Sequence, residues 1–140
     1  TGARLHLVGP MGFKIDDKKL KRAGLDYWQY LELHYYDNLA ELFAKHFKGD
    51  NFYFMSTKGA KVYSDVKFKD GDFLIFGKES YGLPEPLLKE HYQNTLRIPM
   101  LDKIRSLNLS NSVALTLYEA LRQNNFDGFL VEGALTGRED

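Results

Sequence analysis

Phe73-Leu74-Ile75-Phe76-Gly77-Lys78-Glu79-Ser80-Tyr81-Gly82-Leu83-Pro84 is the stretch on which the fold turns. Four apolar residues end at a glycine, as in a short buried strand. Pro84, with its fixed φ and missing N–H, suits the first turn of a helix. Between them lie two glycines that let the backbone pass close to a ligand. Working outward, the same alternation recurs. Leu5–Gly9, Phe52–Met55 and Leu96–Ile98 read as strands, and Tyr27–Tyr36, aromatic and partly alternating, as extended chain. Asp16–Ala23 reads as a short basic helix stopped by Gly24. Asn38–Phe47 is a helix capped by Asn38, with Leu39, Leu42, Phe43 and Phe47 on one face. Pro84–Tyr92 is a third helix. Leu109–Gln123 is the longest, with Val113, Leu117, Ala120 and Leu121 as its apolar stripe. Strands alternating with helices predict an α/β domain, a mainly parallel sheet flanked by helices. Ligands of such sheets bind outside the carboxyl ends of the strands. The loops Gly9–Lys14, Ser56–Ala60, Gly77–Pro84 and Pro99–Asn108 therefore become the candidate site.

A length of 140 residues is that of one domain, large enough for a core without staples. There is no cysteine, which removes disulfides, a thiol nucleophile and thiolate metal sites and fits a reducing compartment. No apolar run approaches the length of a membrane-spanning helix, so a membrane partner is not expected. Nineteen basic residues balance nineteen acidic ones, which excludes a uniformly basic coat. The charge is segregated, however. Residues 1–22 carry six basic and two acidic side chains, and residues 106–140 two basic and five acidic, so one basic face remains available.

Several motifs fail on inspection. Gly77-Lys78 resembles the end of a phosphate loop, but Glu79 replaces the Ser or Thr and Asp72 the earlier glycine. No dinucleotide-binding glycine pattern is present. His6, His34, His46 and His91 are scattered without metal-ligand spacing and read as surface or packing residues, so no metal is expected. Asn108-Leu109-Ser110 matches a glycosylation sequon in a chain with no sign of secretion.

A second motif survives beside the first: Arg97-Ile98-Pro99-Met100, then Ile104-Arg105-Ser106-Leu107-Asn108-Leu109-Ser110-Asn111-Ser112. It holds more hydroxyl and amide groups than one helix cap requires. In this order and spacing the two motifs resemble the second and third motifs of the knotted SPOUT-class RNA methyltransferases. Gly9-Pro10-Met11-Gly12-Phe13, Leu20-Lys21-Arg22-Ala23-Gly24-Leu25-Asp26-Tyr27 and Ser56-Thr57-Lys58-Gly59 narrow the resemblance to the TrmL-type group, which methylates the wobble ribose of tRNA. The resemblance implies a C-terminal trefoil knot and S-adenosylmethionine as methyl donor, with no metal. It implies cofactor contacts from Met55, Gly77, Ile98, Ser106 and Leu107, largely through backbone groups. It makes Ser106, Asn108 and Ser110 candidates for orienting the reactants, and Glu79 either a knot-stabilising acceptor, the favoured reading, or an active-site group. The reaction it implies is in-line attack of a ribose 2′-oxygen on a methyl group, helped by loss of the hydroxyl proton. tRNA is the expected partner, with no DNA. Lys14, Lys21, Arg22 and Lys58 are the phosphate-contact candidates, with Lys18 and Lys19 beside them. A homodimer is expected, with Tyr118 on the last helix as part of its interface, and a cytoplasmic location. The family's first motif, Asn-x-Gly-Asn…Arg, carries the arginine credited with activating the hydroxyl. That motif would fall before Thr1, so the single domain expected over residues 1–140 would lack its N-terminal strand and helix. Two alternatives stay open: a ribose methyltransferase for another tRNA position or for rRNA, and a non-catalytic RNA- or cofactor-binding module.

Overall fold

Phe52-Tyr53-Phe54-Met55 forms a strand whose side chains are apolar on both faces, the pattern of a strand covered on both sides. It is one of the two interior strands of the C-terminal sheet. The computed structural model describes residues 1–9, 31–79 and 81–139. These separate into two units, Thr1–Phe47 and Lys48–Asp140.

In the first unit β1 (Leu5–Val8) and β2 (Leu33–Tyr36) pair in parallel, Leu5 opposite Leu33 and Val8 opposite Tyr36. The extended segment expected over Tyr27–Tyr36 thus contains a strand at its end. Helix α1 (Leu39–His46) starts where expected: the Asn38 side chain accepts from the Glu41 N–H at 2.9 Å. The Glu41 carboxylate in turn accepts from the Asp37 N–H at 2.8 Å, so two N-terminal donors are satisfied reciprocally. Leu42 is the fully buried member of the expected apolar face. The basic helix expected over Asp16–Ala23 lies outside the described residues.

The second unit holds β3 (Phe52–Met55), β4 (Lys61–Val62), β5 (Phe73–Ile75) and β6 (Thr95–Arg97). They form one sheet in the order β4-β6-β3-β5 with every neighbour parallel. Helix α2 (Glu85–Glu90) and a 3₁₀ turn (Tyr92–Asn94) connect β5 to β6, and α3 (Leu109–Gln123) follows. Pro84 stands at the N-cap of α2, one residue earlier than a first-turn position. The core joins Met55, Phe68 and Leu96, with Tyr63, Leu74, Phe76, Ile98 and Ala120 packed around them. Phe52 stacks on Phe73 with ring centres 4.5 Å apart, and Phe54 on His91 at 4.7 Å.

The stripe of α3 differs in detail from the expectation. Val113, Leu117, Ala120 and Leu121 are half-buried, and the fully buried residue is Thr116, whose hydroxyl donates to the Ser112 carbonyl at 2.8 Å. A helix packed this closely accepts a small side chain at its point of contact. The helix ends in a Schellman arrangement: Phe126 N–H donates to the Leu121 carbonyl and Asn125 N–H to Arg122, with Asn125 at φ 61°. The Gln123 amide then clasps the chain before β5, accepting from Phe68 N–H at 2.9 Å and donating to the Val66 carbonyl at 3.0 Å.

Candidate functional site

Three of the four loops singled out by sequence meet in one cleft of about 350 Å³ in the second unit. Each leaves the carboxyl end of a parallel strand, β3, β5 or β6. Of the fourth, only Gly9 is a described residue.

The turn after β3 is pinned to the neighbouring strand. Ser56 N–H donates to the Leu96 carbonyl at 2.9 Å, and Gly59 N–H returns to the Ser56 carbonyl at 3.1 Å. A Cβ on Gly59 would come within 2.5–2.8 Å of the Leu96–Arg97 backbone, so only glycine lets the turn lie this close to β6. The turn presents Lys58, whose ammonium pairs with the Glu85 carboxylate. That pairing holds the Glu85 carboxyl below its ordinary pKa.

The loop after β5 folds back on itself. Gly82 N–H donates to the Lys78 carbonyl at 2.8 Å, and Gly82 has φ 68°. A Cβ on Gly77 would collide with the backbone of Gly82 and Leu83. Gly77 lines the cleft, but the close approach it permits is to the chain's own returning segment. The close approach expected of the loop glycines was to a ligand; at Gly77 the chain's own backbone takes that place.

The loop after β6 carries Ile98, Met100, Arg105, Ser106 and Leu107 to the cleft and feeds α3, whose Ser112 also faces it. Asn108 caps α3 by accepting from the Asn111 N–H at 3.3 Å. Its side chain is therefore occupied structurally, and neither it nor Ser110 lines the cleft, unlike Ser106.

All five residues expected around the cofactor, Met55, Gly77, Ile98, Ser106 and Leu107, line this one cleft, and so do Lys58 and Glu79. Lys14, Lys18, Lys19, Lys21 and Arg22 lie outside the described residues. Thr57, Lys78, Tyr81, Met100, Arg105 and Ser112 also line it and were not singled out. For all six the signal was present, since Lys78 and Tyr81 stand inside the first quoted motif, Met100, Arg105 and Ser112 inside the second, and Thr57 inside the Ser56–Gly59 match. Lys58, Lys78 and Arg105 against Glu79 leave the lining with more positive than negative charge, the sign that attracts a polyanion.

Three of the four histidines, His6, His34 and His46, come together in space. His6 on β1 stacks on His34 of β2 with ring centres 4.9 Å apart. The Tyr36 hydroxyl lies 3.1 Å from both His6 Nδ1 and His46 Nε2. His34 contacts the Glu32 carboxylate, which Arg4 also holds. The parallel β1–β2 register sets His6 opposite His34, a juxtaposition that sequence spacing conceals.

Comparison with known proteins agrees with this architecture. The sequence profile of the SpoU rRNA Methylase family matches residues 1–118. A Listeria monocytogenes protein provisionally named tRNA (cytidine(34)-2′-O)-methyltransferase is 53% identical over 135 residues, 94% of this chain and 79% of the relative. The crystal structure of a Bacillus anthracis protein provisionally assigned as an RNA methyltransferase superposes with a TM-score of 0.86 at 45% identity. It covers 94% of this chain and 84% of that one. A structure described in connection with 2-OH methylation of C/U34 on tRNA gives 0.80 at 42% identity, over 89% of this chain and 81% of the other. A profile match across most of the chain, together with three loops meeting at the ends of parallel strands, places this protein in the SpoU methylase family.

Proposed function

We propose that this protein methylates the 2′-oxygen of the wobble ribose, position 34, of tRNA, using S-adenosylmethionine and acting on leucine isoacceptors. The observation that carries the proposal is the convergence of the 56–59, 77–83 and 98–107 loops on one cleft. The 53% identity to a relative bearing that name supports the choice of substrate. Residues 1–140 act as one methyltransferase domain, a reading supported by a family profile that runs through both units.

The cleft suits the methyl donor. Its volume falls in the range of small-ligand sites, about 300–1,000 Å³. Met55, Ile98 and Leu107 offer apolar surface to an adenine, while the surrounding loop backbone supplies donors and acceptors for its edge. Bound there, S-adenosylmethionine supplies an electrophilic methyl group. The Ser106 hydroxyl helps orient the reactants, and the 77–83 loop, closed on itself through Gly77 and Gly82, fixes one wall. Alignment of this kind accounts for much of the rate that two-substrate enzymes gain. Lys58, with Lys14, Lys21 and Arg22, contacts tRNA phosphates. The protein works as a cytoplasmic homodimer paired through α3, where Leu115 and Tyr118 expose apolar surface. The knot implied by the resemblance belongs to this proposal too.

The test is methyl transfer to purified tRNA from a labelled donor in the presence of chelator, followed by mass mapping of nuclease fragments. A 2′-O-methyl group on nucleotide 34 is expected. Transfer to another nucleotide, or to rRNA alone, would overturn the assigned substrate. Cofactor binding without any transfer would favour the binding-module alternative.

A further inference from the structure

We infer that a second groove, formed by Lys58, Glu85, Lys89 and Tyr92 over Leu88, is a platform for one nucleotide of single-stranded RNA next to the one being modified. The inference rests on the RNA-modifying reading above and adds a site to it.

The groove has a volume of about 480 Å³ and opens broadly to solvent. Leu88 is buried beneath it, whereas Tyr92 is 50% exposed. Lys89 lies in the last turn of α2 and Tyr92 opens the 3₁₀ turn after it, so an ammonium and an aromatic ring stand three residues apart along the groove. Lys58, from the turn after β3, completes the lining. That composition matches single-stranded nucleic acid, in which a base stacks on an aromatic face and the flanking phosphates meet cations. An open groove that recognises a base by its face alone tolerates any base.

Two further observations place the groove beside the reaction. Lys58 lines both the groove and the cleft, so an RNA strand leaving the cleft across Lys58 enters the groove directly. The walls are also held together by one buried hydroxyl. Thr95 Oγ1 donates to the Tyr92 carbonyl at 2.6 Å and accepts from the Ala60 N–H at 2.9 Å. The turn carrying Lys58 and the segment carrying Tyr92 are thus set at a fixed spacing before RNA arrives.

The Lys58–Glu85 pair completes the device. Both side chains are exposed, and such a pair contributes little to stability. A phosphate can therefore replace the Glu85 carboxylate at Lys58 at small cost. Glu85 positions the ammonium while the groove is empty and competes with RNA for it.

The experiment measures binding of an anticodon stem–loop RNA to the full chain at several salt concentrations. S-adenosylhomocysteine affinity, methyl transfer and thermal melting are followed in parallel. Tyr92→Ala should weaken RNA binding about tenfold with cofactor affinity and melting unchanged, and Tyr92→Phe should restore it. Lys89→Ala should lower the log–log salt slope by about 0.7. Glu85→Gln should tighten RNA binding. RNA affinity and slope equal to wild type in both Tyr92→Ala and Lys89→Ala would overturn the inference. If wild type transfers methyl groups and these variants match it, only the platform fails. If wild type binds the stem–loop through Tyr92 and Lys89 but transfers no methyl, the platform stands and the enzymatic reading falls. No RNA binding by wild type overturns both.

Discussion

Gly77 shows how one missing side chain shapes the cleft. Its Cβ direction is filled by the Gly82–Leu83 backbone, so Gly77→Ala must push the returning segment away. Overpacking of this kind costs about 1–3 kcal/mol. The expected outcome is a lower melting temperature together with weaker S-adenosylhomocysteine binding, read by scanning and titration calorimetry. Full cofactor affinity in Gly77→Ala would show that the loop can move without harm to the cleft. The need for glycine at 77 was legible in the sequence, because a strand, a glycine and a second glycine five residues on announce a close approach. What it approaches was not legible, since that depends on where the chain returns in space. Asn108 follows the same logic: its residue type fits a ligand contact and a helix cap equally well, and the 3.3 Å bond to Asn111 N–H shows the cap.

At the level of elements, the pairing of β1 with β2 gathers titratable groups that lie far apart in the chain. His6 faces His34 and Tyr36 from β2 and His46 from α1, with Arg4 and Glu32 nearby. Its pKa is lowered, first by burial and then by His34, His46 and Arg4. A histidine with a depressed folded pKa gives its full stability above the unfolded value of about 6.5, and that stability is lost as pH falls through the folded pKa. Melting temperature should therefore decline on acidification from pH 7 to pH 5, and His6→Gln should flatten the decline. An equal slope in the variant would assign the acid sensitivity to other groups. The larger elements were legible from apolar runs and caps, as α1 and Asn38 illustrate. Strand β4 was not: it is two residues long, one of them Lys61, and it is a strand only because β6 lies beside it.

For the whole molecule the testable quantity is mass in solution. Leu115 is 44% and Tyr118 50% exposed on α3, an apolar face suited to a two-fold partner. Sedimentation at low micromolar concentration should give roughly twice the 16.2 kDa of one chain, and Tyr118→Asp should shift it toward one. A species of single-chain mass that still methylates tRNA would refute the dimer. The strand order β4-β6-β3-β5 carries a consequence for biosynthesis. The last strand made takes an interior slot, so β4 has no ladder partner and one edge of β3 stays open until residue 97 has been synthesised. At about 5–20 residues per second, that leaves a ribosome-bound chain with an open, apolar β3 edge for about 2–7 seconds after β4 is complete. During that interval Phe52–Met55 is a template for wrong pairing, so the nascent chain should be most prone to misassociation between the emergence of β4 and that of β6.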